Sequence, residues 1–447
     1  MNFKEKYLNH KLIHLSSSKK LVGGVYIDEL PLDIILLIFD MMDHKTLMNV
    51  GGTNRVFFET MRRTFSVKES LPSEIEDKLT DEHMMSSFIQ FDNLRTLDLS
   101  HNNNLTNIGL HKLKELTSLN LGINNKINDI TPLVKLTSLI LGANNQIHDI
   151  LPLINLTSLN LSMNNKIRDI TSLINLTSLN LYYNEQINNI NTLVNLTSLD
   201  LGFSHQIRDI TSLINLTSLS LGPNQLISDI RPLNKLISLY LGANNLIRDV
   251  RSHINLTTLN LRSNNQITDI TPLTKLTSLQ LGENNQINDI TSLNKLLSLD
   301  LDANNQIHDI TPLTNLTSLW IGENNQIHDI TPLTNLTSLW LGENNQIHDI
   351  TPLTNLTSLD LGENNQIHDI TPLTNLTSLD LGENNQIHDI TPLTNLTSLN
   401  LGLNNQINDI RPLAKLKLLQ LISKRLIHHD IRPDINIILP HAPLPRY

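Results

Sequence analysis

The chain contains no cysteine in 447 residues, which excludes disulfides, thiolate zinc sites and a thiol nucleophile. Aromatic residues are few, with 8 Phe, 6 Tyr and 2 Trp, so any large core must be aliphatic. No stretch approaches the ~18 consecutive apolar residues of a membrane span. The start, MNFKEKYLNHKLIHLSSSKK, is charged throughout and lacks the apolar run of a secretory signal. Together with the absence of cysteine, this leads to the expectation of an intracellular protein. A formal net charge of -10 argues against a nucleic-acid scaffold. There is no glycine-rich phosphate loop. Ser, His and Asp recur so often that a triad drawn from them is uninformative. Neither a cofactor nor an enzymatic activity is expected, and a membrane partner is not expected either.

What the sequence does contain is a period. NLTSLDLGENNQIHDITPLT, at Asn355 to Thr374, recurs every 20 residues from about Leu116 to Leu416, with a longer copy from Leu94. With Leu356 as position one, the apolar set is Leu356, Leu359, Leu361, Ile367, Ile370 and Leu373. Leu359 and Leu361 are two apart and share one side of an extended segment, while Ser358, Asp360 and Gly362 take the other. Six such side chains, at ~1.5–3 kcal/mol each, do not offset the ordering of twenty backbones at ~1–2 kcal/mol each. One unit cannot fold alone, and stacked units sharing a core make a solenoid. The segment Asp369-Ile370-Thr371-Pro372-Leu373 offers a cap and a proline before the next unit. Only a short 3-10 turn fits there.

The pattern LxxLxLxxNxxI resembles the leucine-rich repeat. That resemblance implies an α/β solenoid of short parallel strands, with the asparagine at position nine (Asn144, Asn264, Asn364) bonding the backbone of each turn. The unit at Leu94 resembles the cysteine-containing subtype, with Asn102 where that subtype has Cys. The Asn-Leu-Thr triplets at Asn155, Asn175 and Asn335 match a glycosylation acceptor, but without a signal they read as by-products of the repeat.

The chain divides into a tail at 1–25, a helical block at 26–65, a helical connector at 66–93, repeats at 94–415, and a degenerate last repeat with cap at 416–447. In the helical block Pro31 suits a helix start, and Ile34, Ile35, Ile38, Phe39 and Met42 fall on one helix face. Leu30, Pro31, Asp33, Ile34, Ile38, Phe39 and Leu47, with the Asn54-Arg55 and Phe57 ending, resemble an F-box. Gly51-Gly52 depart from that pattern. The resemblance implies docking on the Skp-type adaptor of an SCF ubiquitin ligase, with the repeats choosing a target protein. The whole is similar to F-box and leucine-rich-repeat proteins of giant DNA viruses. A plain repeat scaffold without a ligase role is the alternative, and an internalin-like adhesin has similar repeats.

Position five, between two core leucines, varies where the frame does not. It carries Tyr240, Asp300, Trp320, Trp340, Asp360 and Asp380, the expected contacts for a target, with both tryptophans on neighbouring units. Glu283, Glu323, Glu343, Glu363 and Glu383 at position eight add an acidic rim. A partner segment pairing an apolar residue with Lys or Arg suits that face. His308, His328, His348, His368 and His388 repeat at position thirteen, which repetition alone explains, and no metal is assigned to them.

Overall fold

The computed structural model describes residues 25–26, 65–66, 70–71, 73–85, 89–421 and 432–438. Within that span it leaves out 125, 144–145, 224–225, 245, 283–285, 305, 324, 344, 363–365, 383–385, 403–405 and 408. The chain forms two compact units, Met1–Asn215 and Leu216–Tyr447. In each, the Ser-Leu-X-Leu of a repeat becomes a short strand that pairs in parallel with the same positions of the next. Ser158 lies beside Ser178 and Leu159 beside Leu179 in the first unit. Ser338 lies beside Ser358 and Leu339 beside Leu359 in the second.

The alternation follows from burial. Leu359 and Leu361 are 1% and 0% exposed, while Ser358 is exposed and Asp360 half-buried. Positions one, twelve, fifteen and eighteen complete the interior, as in Leu356, Ile367, Ile370 and Leu373, all fully buried. The return from Ile370 consists of two i→i+3 bonds, Leu373 N to Ile370 O at 3.0 Å and Leu376 N to Leu373 O at 3.1 Å. That is the 3-10 bonding pattern, and it brings the chain back within the few residues available. Asp369 fixes its start by accepting from the backbone N–H and the hydroxyl of Thr371.

Three polar ladders hold the turns together. In the first, Thr137 N, Thr137 Oγ1 and Ser138 N all donate to the Thr117 carbonyl, at 2.8, 3.1 and 3.0 Å. The second uses the asparagine of the Asn-Leu-Thr triplet: Asn175 Nδ2 donates to Ile154 O at 2.9 Å. This triplet has a structural job. The third is the buried asparagine. Asn184 Oδ1 accepts from Gln186 N and Ile187 N, and its Nδ2 donates to Asn164 O and Leu161 O.

The first unit carries the strands from Thr96–Asp98 to Ser198–Asp200 in one parallel ladder. Leu71, Ile75 and Leu79 are buried, on and beside the short helix Ser73–Glu76. Asn102 binds this segment through the carbonyls of Glu76 and Leu79. The two extra residues of the first repeat allow a single helical turn, Asn107–Leu110, capped by Thr106. Asp81 ties that turn down by accepting from Thr106 N, Thr106 Oγ1 and Gly109 N. Strands Val25–Tyr26, Phe65–Ser66 and Ile89–Gln90 form a separate parallel sheet. The F-box resemblance at Leu30, Pro31, Asp33, Ile34, Ile38, Phe39 and Leu47 lies outside the described residues.

The second unit runs from Ser218–Ser220 to Leu418–Gln420. Two details differ from the reading of the sequence. The ladder does not end at the unit of Leu416, because Asn436–Ile438 adds one more parallel strand beside Leu418–Gln420. The residues of that strand are exposed on both faces, which is why no core pattern announces it. The ladder asparagine also moves. Asn304 is buried at position nine, and in the next two turns Asn325 and Asn345 are buried at position ten. Asn325 Nδ2 reaches Asn304 O at 2.6 Å while its Oδ1 accepts from Ile327 N. The doubled Asn-Asn permits this shift, since either residue supplies the amide. His253 takes the place of a core leucine at position eighteen. It is fully buried, its ring nitrogens 3.3 and 3.1 Å from the carbonyls of Val250 and Ile230.

Candidate functional site

Position five projects from the open face of the sheet, where parallel pairing sets its occupants side by side at ~4.8 Å per strand. In the second unit this produces a row. Asp300 pairs with Trp320, Trp320 with Trp340, Trp340 with Asp360, and Asp360 with Asp380. Tyr240 stands earlier on the same face, between Ser220 and Asn260, and is 40% exposed. The six residues expected at this face are thus all on it, and five of them are consecutive neighbours.

The two indoles stack, with centroids 4.2 Å apart and planes at 29°. Trp320 remains 44% exposed, a large apolar surface turned to solvent. Such a side chain is a typical interface anchor. On one flank Asp300 is nearly buried and forms an ion pair with Arg262. Arg262 stands at position seven and reaches across two turns to do so. On the other flank Asp360 accepts from Gly362 N and Asp380 from Gly382 N. Asn400 Nδ2 adds a bond to Asp380 at 2.8 Å. Burial first, and then the charge of Asp380, raise the Asp360 carboxyl above its ordinary value. The Gly362 N–H and a bond from Trp340 offset part of that rise.

Position seven differs along the row. Arg262 extends from it to Asp300; beside Trp320, Trp340, Asp360 and Asp380 it is Gly322, Gly342, Gly362 and Gly382. Gly382 has φ +64, and a Cβ there would meet Gly362 O at 1.7 Å. The turn excludes a side chain at this position.

The histidines at position thirteen are exposed, away from this face; His348 and His368 have Nδ1 within 3.4 and 3.3 Å of the carbonyls two residues before them. Among the described residues no group of His, Asp and Glu is arranged to hold a metal ion. No helix among them is long and apolar enough to cross a membrane. Of the rim glutamates, Glu323 is exposed and Glu343 half-buried, while Glu283, Glu363 and Glu383 lie outside the described residues.

A second surface was not anticipated. In the first unit Tyr183 and Phe203, both at position eight, stack at 4.4 Å with planes 8° apart, and Tyr182 meets both edge-on. Met163, Tyr183 and Phe203 have positive φ, a costly backbone state for such side chains. Ser162 and Tyr182 occupy position seven before Met163 and Tyr183, whereas Phe203 follows a glycine, Gly202. The available signal was compositional. Every aromatic residue between Leu94 and Leu421 stands at position five, seven or eight, none in a core slot.

The repeats match a family model for leucine-rich repeats in overlapping segments spanning 92–175 and 254–415, more than half of the chain. The chain belongs to the leucine-rich-repeat family, and its fold makes it a protein-interaction scaffold. Among solved structures it is similar to an internalin, InlF, of Listeria monocytogenes, at 31% identity over 82% of this chain and 90% of that one, with a TM-score of 0.37. The functional domain of InlJ from the same organism is 24% identical, over 76% of this chain and 74% of that one, with a TM-score of 0.46. A leucine-rich-repeat protein of Leptospira interrogans is 22% identical, over 86% and 98%, with a TM-score of 0.43. A search of curated proteins gives no match.

Proposed function

We propose that the scaffold is the recognition subunit of an SCF-type ubiquitin ligase: residues 26–65 dock on a Skp-type adaptor, and the open sheet of the second unit holds the protein to be modified. The observation that carries the binding half is the stacked, solvent-facing Trp320–Trp340 pair in a row of charged neighbours. The adaptor half is supported by the order and spacing of Leu30, Pro31, Asp33, Ile34, Ile38, Phe39 and Leu47. In this reading the chain performs no chemistry. It raises the local concentration of its target near an enzyme that other subunits supply, and it works inside the cell, in cytoplasm or nucleus. If the chain derives from a giant DNA virus, the ligase is that of the host.

The test is direct binding of the full chain to a purified Skp-type adaptor. Replacing Leu30 and Pro31 by Ala should abolish binding while the far-UV circular dichroism of the repeats stays unchanged. An unmutated chain that never binds the adaptor removes the ligase role and leaves the plain scaffold.

A further inference from the structure

Charge is distributed unevenly along the solenoid. Residues 296–410 hold fourteen Asp and Glu and no Lys or Arg. Since the whole chain has a formal charge of -10, the remainder carries +4. The Trp row sits inside this stretch. Among the described residues, neither Asp360 nor Asp380 has a basic partner within ion-pair distance. Asp300, on the opposite side of the indoles, does have one, and that partner comes from outside the stretch.

The row is therefore lopsided. Reading across the strands, a carboxylate with its arginine is followed by two stacked indoles and then by two carboxylates without one. The chain itself shows how the missing group would lie. Arg262 extends over the sheet from position seven to reach a position-five carboxylate, whereas position seven beside Trp340, Asp360 and Asp380 is glycine and carries no side chain.

We infer that the Trp320–Trp340–Asp360–Asp380 row is a seat for an arginine side chain presented by an extended segment of the partner protein. The indole faces would take the stem and the flat guanidinium, and the paired carboxylates its N–H groups. This rests on the proposal that the open sheet of the second unit binds a protein, and it names the chemistry of that protein. Arginine fits better than lysine. Its planar cation stacks on indole and gives up hydration more readily, and it presents several N–H groups in one plane to two adjacent carboxylates. A partly desolvated Asp360 next to Asp380 is relieved by such a charge, which supports a cation rather than a neutral apolar group.

The two tryptophans are the only ones in the chain, so its intrinsic fluorescence reports this site. The full-length chain is titrated with the capped peptide Gly-Leu-Arg-Leu-Gly, with its lysine and citrulline counterparts, and with spermine. The expected result is a saturable change in tryptophan emission with the arginine peptide. Binding should be at least about tenfold weaker with citrulline, and clearly weaker with lysine and with spermine. Asp360→Asn combined with Asp380→Asn should lose about tenfold in affinity for the arginine peptide while the near-UV circular dichroism of the stacked indoles persists. No emission change, equal affinity for citrulline, lysine or spermine, or an unchanged affinity in the double Asn variant overturns the inference. A chain that ignores the arginine peptide yet binds the adaptor through Leu30 and Pro31 loses this inference alone.

Discussion

Replacing Asn184 by Ala tests whether the buried amide ladder, rather than leucine packing alone, holds the turns in place. The Asn184 side chain makes four bonds: to Gln186 N at 3.0 Å, Ile187 N at 3.1 Å, Asn164 O at 2.7 Å and Leu161 O at 3.2 Å. Gln186 is half-exposed and its N–H recruits water after the change. Ile187 is 1% exposed, so its N–H is orphaned at a cost of about 1–3 kcal/mol. Two weakened carbonyls and the void of the lost amide raise the total to about 2–5 kcal/mol. Because each turn touches only its neighbours, the loss stays local. Hydrogen exchange read by mass spectrometry should show protection falling across 161–200 while the strand Ser118–Asn120 keeps its own. Asn175→Ala breaks one exposed bond to Ile154 O and should cost less than about 1 kcal/mol. A loss below about 1 kcal/mol for Asn184→Ala, or no difference between the two variants, would refute the reasoning.

Two further substitutions probe the frame and the cap. Leu359→Ala should cost about 2–5 kcal/mol in denaturant unfolding, and Asp360→Ala less than about 0.5 kcal/mol, since one is buried and the other relieves a raised carboxyl; similar costs would contradict the strand alternation. Glu76 is 7% exposed, and burial raises its carboxyl to about 7. A raised acid favours the folded state when protonated, so its contribution is full below the ordinary value of 4.5 and is lost as pH rises through about 7. Glu76→Gln should therefore stabilise the first repeat by about 1–3 kcal/mol near pH 8 and leave it unchanged near pH 4, measured as amide protection of 94–116; an equal effect at both pH values would contradict the burial argument.

The frame was legible because its physics is repetitive. One period of twenty with Leu at positions one, four and six specifies strand, face and neighbour at once, and the burial of Leu356, Leu359 and Leu361 follows from it. The row at position five was legible for the same reason, since its two core neighbours determine where it points. What escaped was set by contacts between turns rather than within one. The reach of Arg262 to Asp300 spans 38 residues, and no local pattern contains it. The move from Asn304 to Asn325 and Asn345 depends on a choice between two identical side chains. The strand Asn436–Ile438 contains two isoleucines but has no buried-exposed alternation, so it lacks the Leu-X-Leu signature of the repeat. The stack of Tyr183 on Phe203 joins two turns, and both residues stand in a positive-φ state at position eight that no local pattern announces.

The units starting at Leu316 and Leu336 differ only at Ile321 and Leu341, those starting at Leu356 and Leu376 do not differ, and the two pairs are distinguished mainly by Trp or Asp at position five. The interior is therefore blind to which copy it contains. Exchange, loss or gain of one whole copy leaves every core slot filled by an equivalent residue, yet rewrites the order of indoles and carboxylates on the open side. The ligand-reading row can thus be edited in steps of twenty residues with almost no penalty in folding. Absolute position along the stack is marked only by its irregularities, among them the His253 imidazole in a leucine slot and the bridge between Arg262 and Asp300.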